Sequence, residues 1–357
     1  MIRVDIRPVW RFRSKGEKDF DFLVLNLLEA LEHTGKLTAA AEQAGVSYRH
    51  AWNLIEKWAG ILGAPLVVME RGRGTQLSPL GTKLLWAGKR VQARLTPELD
   101  SLASEFAAEL NESLANAGPA LRVHASHDFA VAGLRDLLVR AGVTVDLQNR
   151  GSFDALGSLA RGDCELAGFH LLEGPFGARI AARYAEWLKP RSHRLISVAT
   201  RTQGLIVAAG NPKGIRGVAD LAREDVRLIN RQKGSGTRAL LEYFVTEAGI
   251  DRSRINGYQN EEFTHAAVAA LVAGGQADAG LGIEAAAAQF RLGFVPLATE
   301  RYYLACPQEA LAEPAIEALL ATLQGTEFAA LIASLAGYSA PDAGRVSTVG
   351  DALAASG

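Results

Sequence analysis

Cysteine is nearly absent from this chain: Cys164 and Cys306 are the only two in 357 residues. Neither a disulfide framework nor a cysteine-rich zinc site can be built from so few, and two buried apolar thiols are expected instead. Long apolar runs are also missing. No stretch approaches the roughly 18 residues that cross a bilayer, and Met1 to Lys18 is interrupted by Arg3, Asp5, Arg7, Arg11 and Arg13. That start does not read as an export signal, so a soluble, cytoplasmic chain with no membrane partner is expected. Charge of one sign is scarce overall, with a formal net of -1, and the 36 glycines and 12 prolines are scattered. Fibrous, low-complexity and extensively disordered chains are thereby excluded. What is present is globular, 48% hydrophobic and 22% charged, and at about 100–200 residues per domain the length allows more than one core.

The near-zero net charge hides an asymmetry. Residues 1–90 carry 14 Lys or Arg against 9 Asp or Glu, a balance of +5, and the remainder carries -6. The two parts are therefore expected to meet different partners. In the basic part, Phe20, Leu23, Val24, Leu27, Leu28 and Leu31 recur at helical spacing, and this helix closes near His33-Thr34-Gly35. Leu37 to Ala44 is a short second helix. Gly45-Val46-Ser47 is a tight connection, with Ser47 placed to cap a third helix. This is the grammar of a helix-turn-helix. Ala51, Leu54, Ile55, Trp58, Ile61 and Leu62 form the inward stripe of that helix. Arg49, Asn53 and Glu56 then point outward, flanked by Trp52 and Lys57. Arg and Asn make bidentate contacts to guanine and adenine edges in a major groove, whereas Tyr48 and His50 suit phosphates or packing.

Leu66 to Glu70 reads as a strand, Arg71-Gly72-Arg73-Gly74 as a turn and Thr75-Gln76-Leu77 as a returning strand, before Ser78-Pro79 starts another helix. Arg71 and Arg73 on that tip suit a minor groove or phosphates; an ordinary surface hairpin is the plainer reading. Leu37-Thr38-Ala39-Ala40-Ala41, Ala44 to Trp52, Pro65-Leu66-Val67 and Leu77-Ser78-Pro79-Leu80-Gly81 together resemble the winged-helix domain of ModE-type molybdate regulators. LysR-type regulators have a related pattern. The resemblance covers residues 18 to 90 and implies a dimer that reads an inverted repeat in double-stranded DNA.

Leu84, Leu85, Val91, Leu95, Leu99, Leu102, Phe106, Leu110 and Leu114 continue an apolar stripe. It predicts a dimerisation helix, or else a helix packed on its own domain. Thr96-Pro97 predicts a break and restart within it, with Thr96 as cap. Asn116 to Pro119 reads as the boundary of the next domain, giving a division into a head at 1–90, a linker helix at 91–118 and a sensor domain at 119–357.

Beyond that boundary, short apolar strands alternate with amphipathic helices. The predicted strands are Leu121 to Ala125, Val143 to Gln148, Glu165 to His170, Gly204 to Ala208, Val226 to Ile229, Asp278 to Ile283 and Phe294 to Leu297. A parallel-sheet α/β domain follows, in two lobes with a cleft between them. The expected fold is thus α/β with an all-α/winged-helix head. Asn230 to Arg238 leaves a strand and opens a helix. Arg231, Gly234, Ser235, Gly236, Thr237 and Arg238 bring backbone N–H groups, hydroxyls and guanidinium groups to one place, which makes an anion site or, more plainly, a structural glycine turn. The order of residues is not that of a nucleotide P-loop. Ser126, His127, Asp128, Gly151, Ser152 and His170 end other strands, Arg201-Thr202-Gln203-Gly204 precedes a strand near the expected crossover with Thr202 as the contact, and Thr264-His265 opens a further helix. Each is a candidate ligand contact, and each taken singly is an ordinary cap or packing residue.

Asn230 to Arg238, Thr264 to Ala269 and Ala277 to Ala286 resemble the periplasmic-molybdate-binding-like domain of type II solute-binding proteins, over residues 120 to 305. The resemblance implies hinged lobes closing on a ligand. Together the two resemblances imply a one-component transcription regulator that senses a small anion and controls genes linked to molybdenum or tungsten enzymes. The residues themselves suit molybdate, tungstate, sulfate or a carboxylate such as formate. No catalytic residue, metal site or cofactor is expected. An enzyme using His127-Asp128 or His170, and an architectural DNA-binding protein with a vestigial cleft, are the alternatives.

Overall fold

Apolar spacing builds the head as the sequence predicts, in a computed structural model that describes residues 2–13, 17–70, 74–114 and 120–354. Helix α1 (Leu23–Thr34) ends on Gly35 in the left-handed region (φ 63°), α2 is Leu37–Gln43, and α3 is Tyr48–Leu62. The Ser47 hydroxyl caps α3 by accepting from the His50 N–H at 3.2 Å. Strands β3 (Val67–Glu70) and β4 (Gly74–Leu77) pair antiparallel beside them. Leu27, Leu28, Leu31, Ile55, Trp58, Leu66 and Leu85 fill the core between these elements. Sequence reading missed a preceding hairpin, β1 (Arg11–Arg13) with β2 (Glu17–Asp19). Its Phe12 and the adjoining Phe20 set their rings 5.3 and 4.8 Å from Trp58. The alternation Trp10-Arg11-Phe12-Arg13 was the available signal.

Helix α4 (Pro79–Glu112) corrects the expected break at Thr96-Pro97: it runs unbroken for 34 residues. Thr96 does not cap; its hydroxyl donates back to the Gln92 carbonyl at 2.9 Å. Proline is tolerated because the carbonyl its missing N–H would have served, that of Ala93, accepts from the Thr264 hydroxyl at 3.1 Å. The face of α4 that meets the carboxyl-terminal domain at β6 is small and polar: Ser104 accepts from the Leu147 N–H at 2.7 Å and Ser101 from the Asn149 N–H at 2.8 Å. The apolar stripe faces elsewhere, leaving Val91, Leu95, Leu102, Phe106 and Leu114 exposed.

Among the described residues the carboxyl-terminal domain is a ten-stranded sheet in the order β10-β9-β11-β8-β12-β7-β5-β6, with β13 and β14 also on β8. In chain order its elements are β5 (Leu121–Ala125), α5 (Phe129–Arg140), β6 (Val145–Asn149), α6 (Ser152–Arg161), β7 (Leu166–Leu172), α7 (Pro175–Tyr184) and β8 (His193–Val207). There follow β9 (Leu228–Arg231), α8 (Gly236–Glu247), β10 (Glu261–Glu262), α9 (His265–Ala273), β11 (Ala279–Ile283), α10 (Glu284–Gln289) and β12 (Gly293–Pro307). Helices α11 (Pro314–Leu323) and α12 (Thr326–Ser334), strands β13 (Tyr338–Ser339) and β14 (Val346–Thr348), and α13 (Val349–Ala354) complete it. The sheet is mixed, not parallel throughout. The predicted short strands at 204–208 and 294–297 are parts of β8 and β12, two 15-residue strands that pair antiparallel. Their full length was hidden because polar residues such as Arg201, Gln203, Glu300 and Arg301 interrupt the apolar pattern where the strands cross between lobes.

Each lobe covers both faces of its part of the sheet. Beside β5, β6 and β7 one layer holds Leu134, Leu138, Leu319 and Phe328, and the other holds Leu156, Phe169 and Tyr303. Beside β9 and β11 the layers centre on Leu240, Leu241 and Val245, and on Val268, Ala269 and Val272. Cys164 and Cys306 are buried, and burial pushes their thiols up to about 11 and about 12. Among the described residues no single helix is long and apolar enough to cross a membrane.

Candidate functional site

Strand ends and helix starts of both lobes converge on a cleft of about 860 Å³. The structure brings Ser126, His127, Gly151, Ser152, His170, Arg231, Gly234, Ser235, Gly236, Thr237, Arg238, Thr264 and His265 to its walls. Two predicted residues stand apart. Strand alternation turns Arg201 and Gln203 into the cleft and Thr202 to the opposite face, where its hydroxyl meets the Gly337 carbonyl at 3.4 Å. Asp128 lies beneath the floor: Oδ1 accepts from the N–H groups of Ala130 (2.8 Å) and Val131 (3.2 Å), capping α5. Its Oδ2 accepts from Arg201 and from the Tyr338 hydroxyl, each at 2.7 Å.

A buried ionic floor ties the crossing strands together. Arg201 donates to Asp128 and, through Nε, to Glu300, whose other oxygen accepts from Gln203 Nε2 at 2.9 Å. Burial opposes charging of Glu300, but Arg201, His170 and Gln203 hold its carboxyl below the usual range, and Arg201 does the same for Asp128. His170 sits above this floor, with Nδ1 2.8 Å from the Ser126 hydroxyl and Nε2 3.6 Å from Asp128. Burial and then Arg201 depress its pKa despite the carboxylates. The sequence points to the segment Arg201 to Gly204 but to Thr202 as its ligand contact, and gives no sign of Glu300. The period-two placement of Arg201 and Gln203 was visible, but the partner Glu300 is nearly a hundred positions away and only the sheet register supplies it.

The cationic pole of the cleft is Arg231, at the end of β9. It is buried, and among the described residues no carboxylate lies within ion-pair distance of it. Its Nε–H is shared by Gln232 Oε1 (3.2 Å) and the Glu262 carbonyl (3.3 Å), and its terminal nitrogens donate to the Phe263 carbonyl (2.8 Å) and to His265 Nδ1 (3.1 Å). Among the described residues two of its five N–H bonds have no partner. Burial lowers its pKa to about 10, so it stays a cation. Because guanidinium only donates, His265 Nδ1 must accept, and the neutral ring carries its proton on Nε2. Burial and then Arg231 hold His265 well below 6.5, and burial takes His127 down to about 4. Arg238 is different: Nε donates to Glu242 (2.9 Å), a terminal nitrogen to the Tyr258 carbonyl (3.2 Å), and the group lies 4.3 Å over the Tyr258 ring. The Ser235 hydroxyl caps α8 by accepting the Arg238 N–H at 3.1 Å.

On the head, Ser47, Tyr48, Arg49, His50, Asn53, Glu56 and Lys57 are exposed along α3, and Trp52 is half-buried against the core. Arg71 and Arg73 lie outside the described residues, as does the predicted boundary at Asn116 to Pro119.

Residues 135–324 match the PBP superfamily domain, and residues 23–82 match the bacterial regulatory helix-turn-helix protein, lysR family. The uncharacterized protein YvgK of Bacillus subtilis (strain 168) is 34% identical over 197 residues, 55% of this chain; the chain spans 63% of its length. The molybdenum-pterin-binding protein MopB of Rhodobacter capsulatus is 34% identical over 108 residues, 29% of this chain and 39% of MopB. Among solved structures, Corynebacterium glutamicum OxyR aligns with a TM-score of 0.41 and 16% identity, over 88% of this chain and 95% of that one.

Proposed function

We propose the function of this chain from one premise: it belongs to the PBP superfamily and carries the helix-turn-helix of lysR-family bacterial regulators. It works in the cytoplasm as a DNA-binding transcription regulator whose cleft takes a small anionic effector. The observation that carries the effector reading is Arg231, a buried cation with no carboxylate within ion-pair distance among the described residues and with two donors to spare. A buried unpaired charge is costly, and an anion removes that cost. The amino ends of α6 and α8 add oriented N–H groups to the same cavity. Catalysis is disfavoured because Asp128, the natural partner for a histidine base, is committed to capping α5 and holding Arg201.

Molybdate or tungstate is the first candidate effector, supported by the likeness to MopB and by the ModE-like head; a carboxylate such as formate is the second. The exposed Val91-Leu95-Leu102-Phe106 stripe on α4 supports a homodimer, which would set two α3 helices on an inverted-repeat operator. Calorimetric titration of the full chain with molybdate, tungstate, sulfate, phosphate and formate tests the effector. Saturable binding of molybdate or tungstate alone is the expected result, selective binding of formate moves the signal to a carboxylate, and silence from all five overturns the small-anion reading.

A further inference from the structure

Pro97 is both a wall of the cleft and the point in α4 where helical bonding is interrupted. Two carbonyls one turn apart on α4 are each held by a residue of a different lobe. That of Ala93, freed by the proline, accepts from Thr264 Oγ1 at 3.1 Å; that of Pro97 accepts from Asn149 Nδ2 at 3.0 Å. Thr264 precedes His265 and opens α9 in one lobe, while Asn149 ends β6 in the other, and both line the cleft. The Thr264 side is reinforced by charge. Buried Glu262 lies 3.8 Å from Arg90 and 3.5 Å from Arg94, both on α4, and Arg94 lies 4.7 Å over the ring of Phe263. The backbone carbonyls of Glu262 and Phe263 are the same groups that hold the Arg231 guanidinium.

We propose that α4 is part of the effector site and is read at Pro97: the lobes grip the helix on either side of its weakest point, so occupancy of the cleft sets its bend. An anion drawn to Arg231 moves β10 and Thr264 relative to Asn149. Because their two bonds end on carbonyls at positions 93 and 97, that movement becomes an angle between the residue 79–93 arm and the residue 97–112 arm. The first arm packs on α1 of the winged head, with Lys89 bonded to Glu29, so the bend tilts the head as a unit and carries α3 with it. Asn149, Thr264 and Glu262 are positioning residues in this scheme. It rests on the cleft being an effector site.

The test uses the full chain with spin labels at Lys83→Cys and Glu109→Cys, exposed positions on the two arms, diluted with unlabelled chain. The native thiols are buried and do not compete for label. The label separation and the affinity for a duplex from upstream of its own gene are read with and without saturating molybdate, tungstate or formate, so a change in ligand affinity itself does not enter. In the parent chain a bound anion should shift the separation and change duplex affinity by about 5- to 150-fold, the usual range of such coupling. Pro97→Ala restores an N–H to Ala93, stiffens the helix, and should leave a change within about 2-fold and no shift in separation. Thr264→Val should also uncouple, and Thr264→Ser, which keeps the hydroxyl, should not. A Pro97→Ala chain that responds like the parent overturns the transmission while leaving the effector site intact. Binding of no anion, or binding that moves neither readout in the parent, overturns the effector reading and this proposal with it.

Discussion

Arg231 and Arg238 stand seven positions apart on one anion-like loop, yet their surroundings give them different work. Arg238 is paired in charge with Glu242 at 2.9 Å and Glu261 at 3.7 Å and lies over the Tyr258 ring, while Arg231 has no carboxylate within ion-pair distance among the described residues. Arg231→Gln should therefore weaken anion binding by about 1.5–3 kcal/mol, the worth of hydrogen bonds to a charged group. Arg238→Ala should lower the melting temperature more than it changes the titration. Equal losses of affinity in both variants, measured by calorimetry, would contradict this division. The histidines add a pH dependence. His127, His170 and His265 have pKa values held below 6.5 by burial and nearby arginines, so the unfolded chain binds more protons than the folded one. Stability should fall as pH drops from about 6.5 toward the His127 value of about 4. A bound anion raises the same pKa values, so binding should take up protons and tighten between pH 7.5 and 5.5. Titration in buffers of different ionisation enthalpy measures that uptake; none at either pH would remove these histidines from the site.

Among the elements, α3 was the most legible. Its inward stripe, its Ser47 cap and its outward Arg49 and Asn53 all follow from local spacing and capping chemistry, which depend on residues within a few positions of each other. Asn53→Ala or Arg49→Ala should cost about 1–3 kcal/mol in operator binding if the side chain makes a bidentate base contact, with anion titration unchanged. Loss of specific and non-specific DNA affinity in equal measure would instead make the residue a phosphate contact. Helix α4 was legible in its apolar stripe but not in its continuity. A proline predicts a break unless a distant group satisfies the carbonyl it orphans, and Thr264 lies 171 positions away. The stripe left exposed in one chain predicts that Leu102→Glu with Phe106→Glu gives monomers in sedimentation and weakens binding to an inverted repeat. A dimer that survives both changes would place the interface elsewhere.

At the scale of the whole molecule, two lobes share one sheet and one long helix runs from the head across both. Anything that binds only the folded, cleft-competent chain stabilises it by mass action, about 2.7 kcal/mol at a hundred times its Kd. An effector at that level should raise the melting temperature of the parent chain by more than that of Arg231→Gln, which differential scanning would show. Composition, the basic head, the helix-turn-helix, the alternation of strands and helices and the glycine-rich loop after β9 were set by the sequence alone, because each is a short-range pattern of polarity or backbone freedom. The antiparallel pairing of β8 with β12, the Arg201-Asp128-Glu300 floor, the placement of Thr202 off the cleft and the two-sided grip on α4 at Pro97 were decided only by the tertiary structure. Each depends on which distant strand end or carbonyl comes within hydrogen-bond reach, and no local pattern encodes that distance.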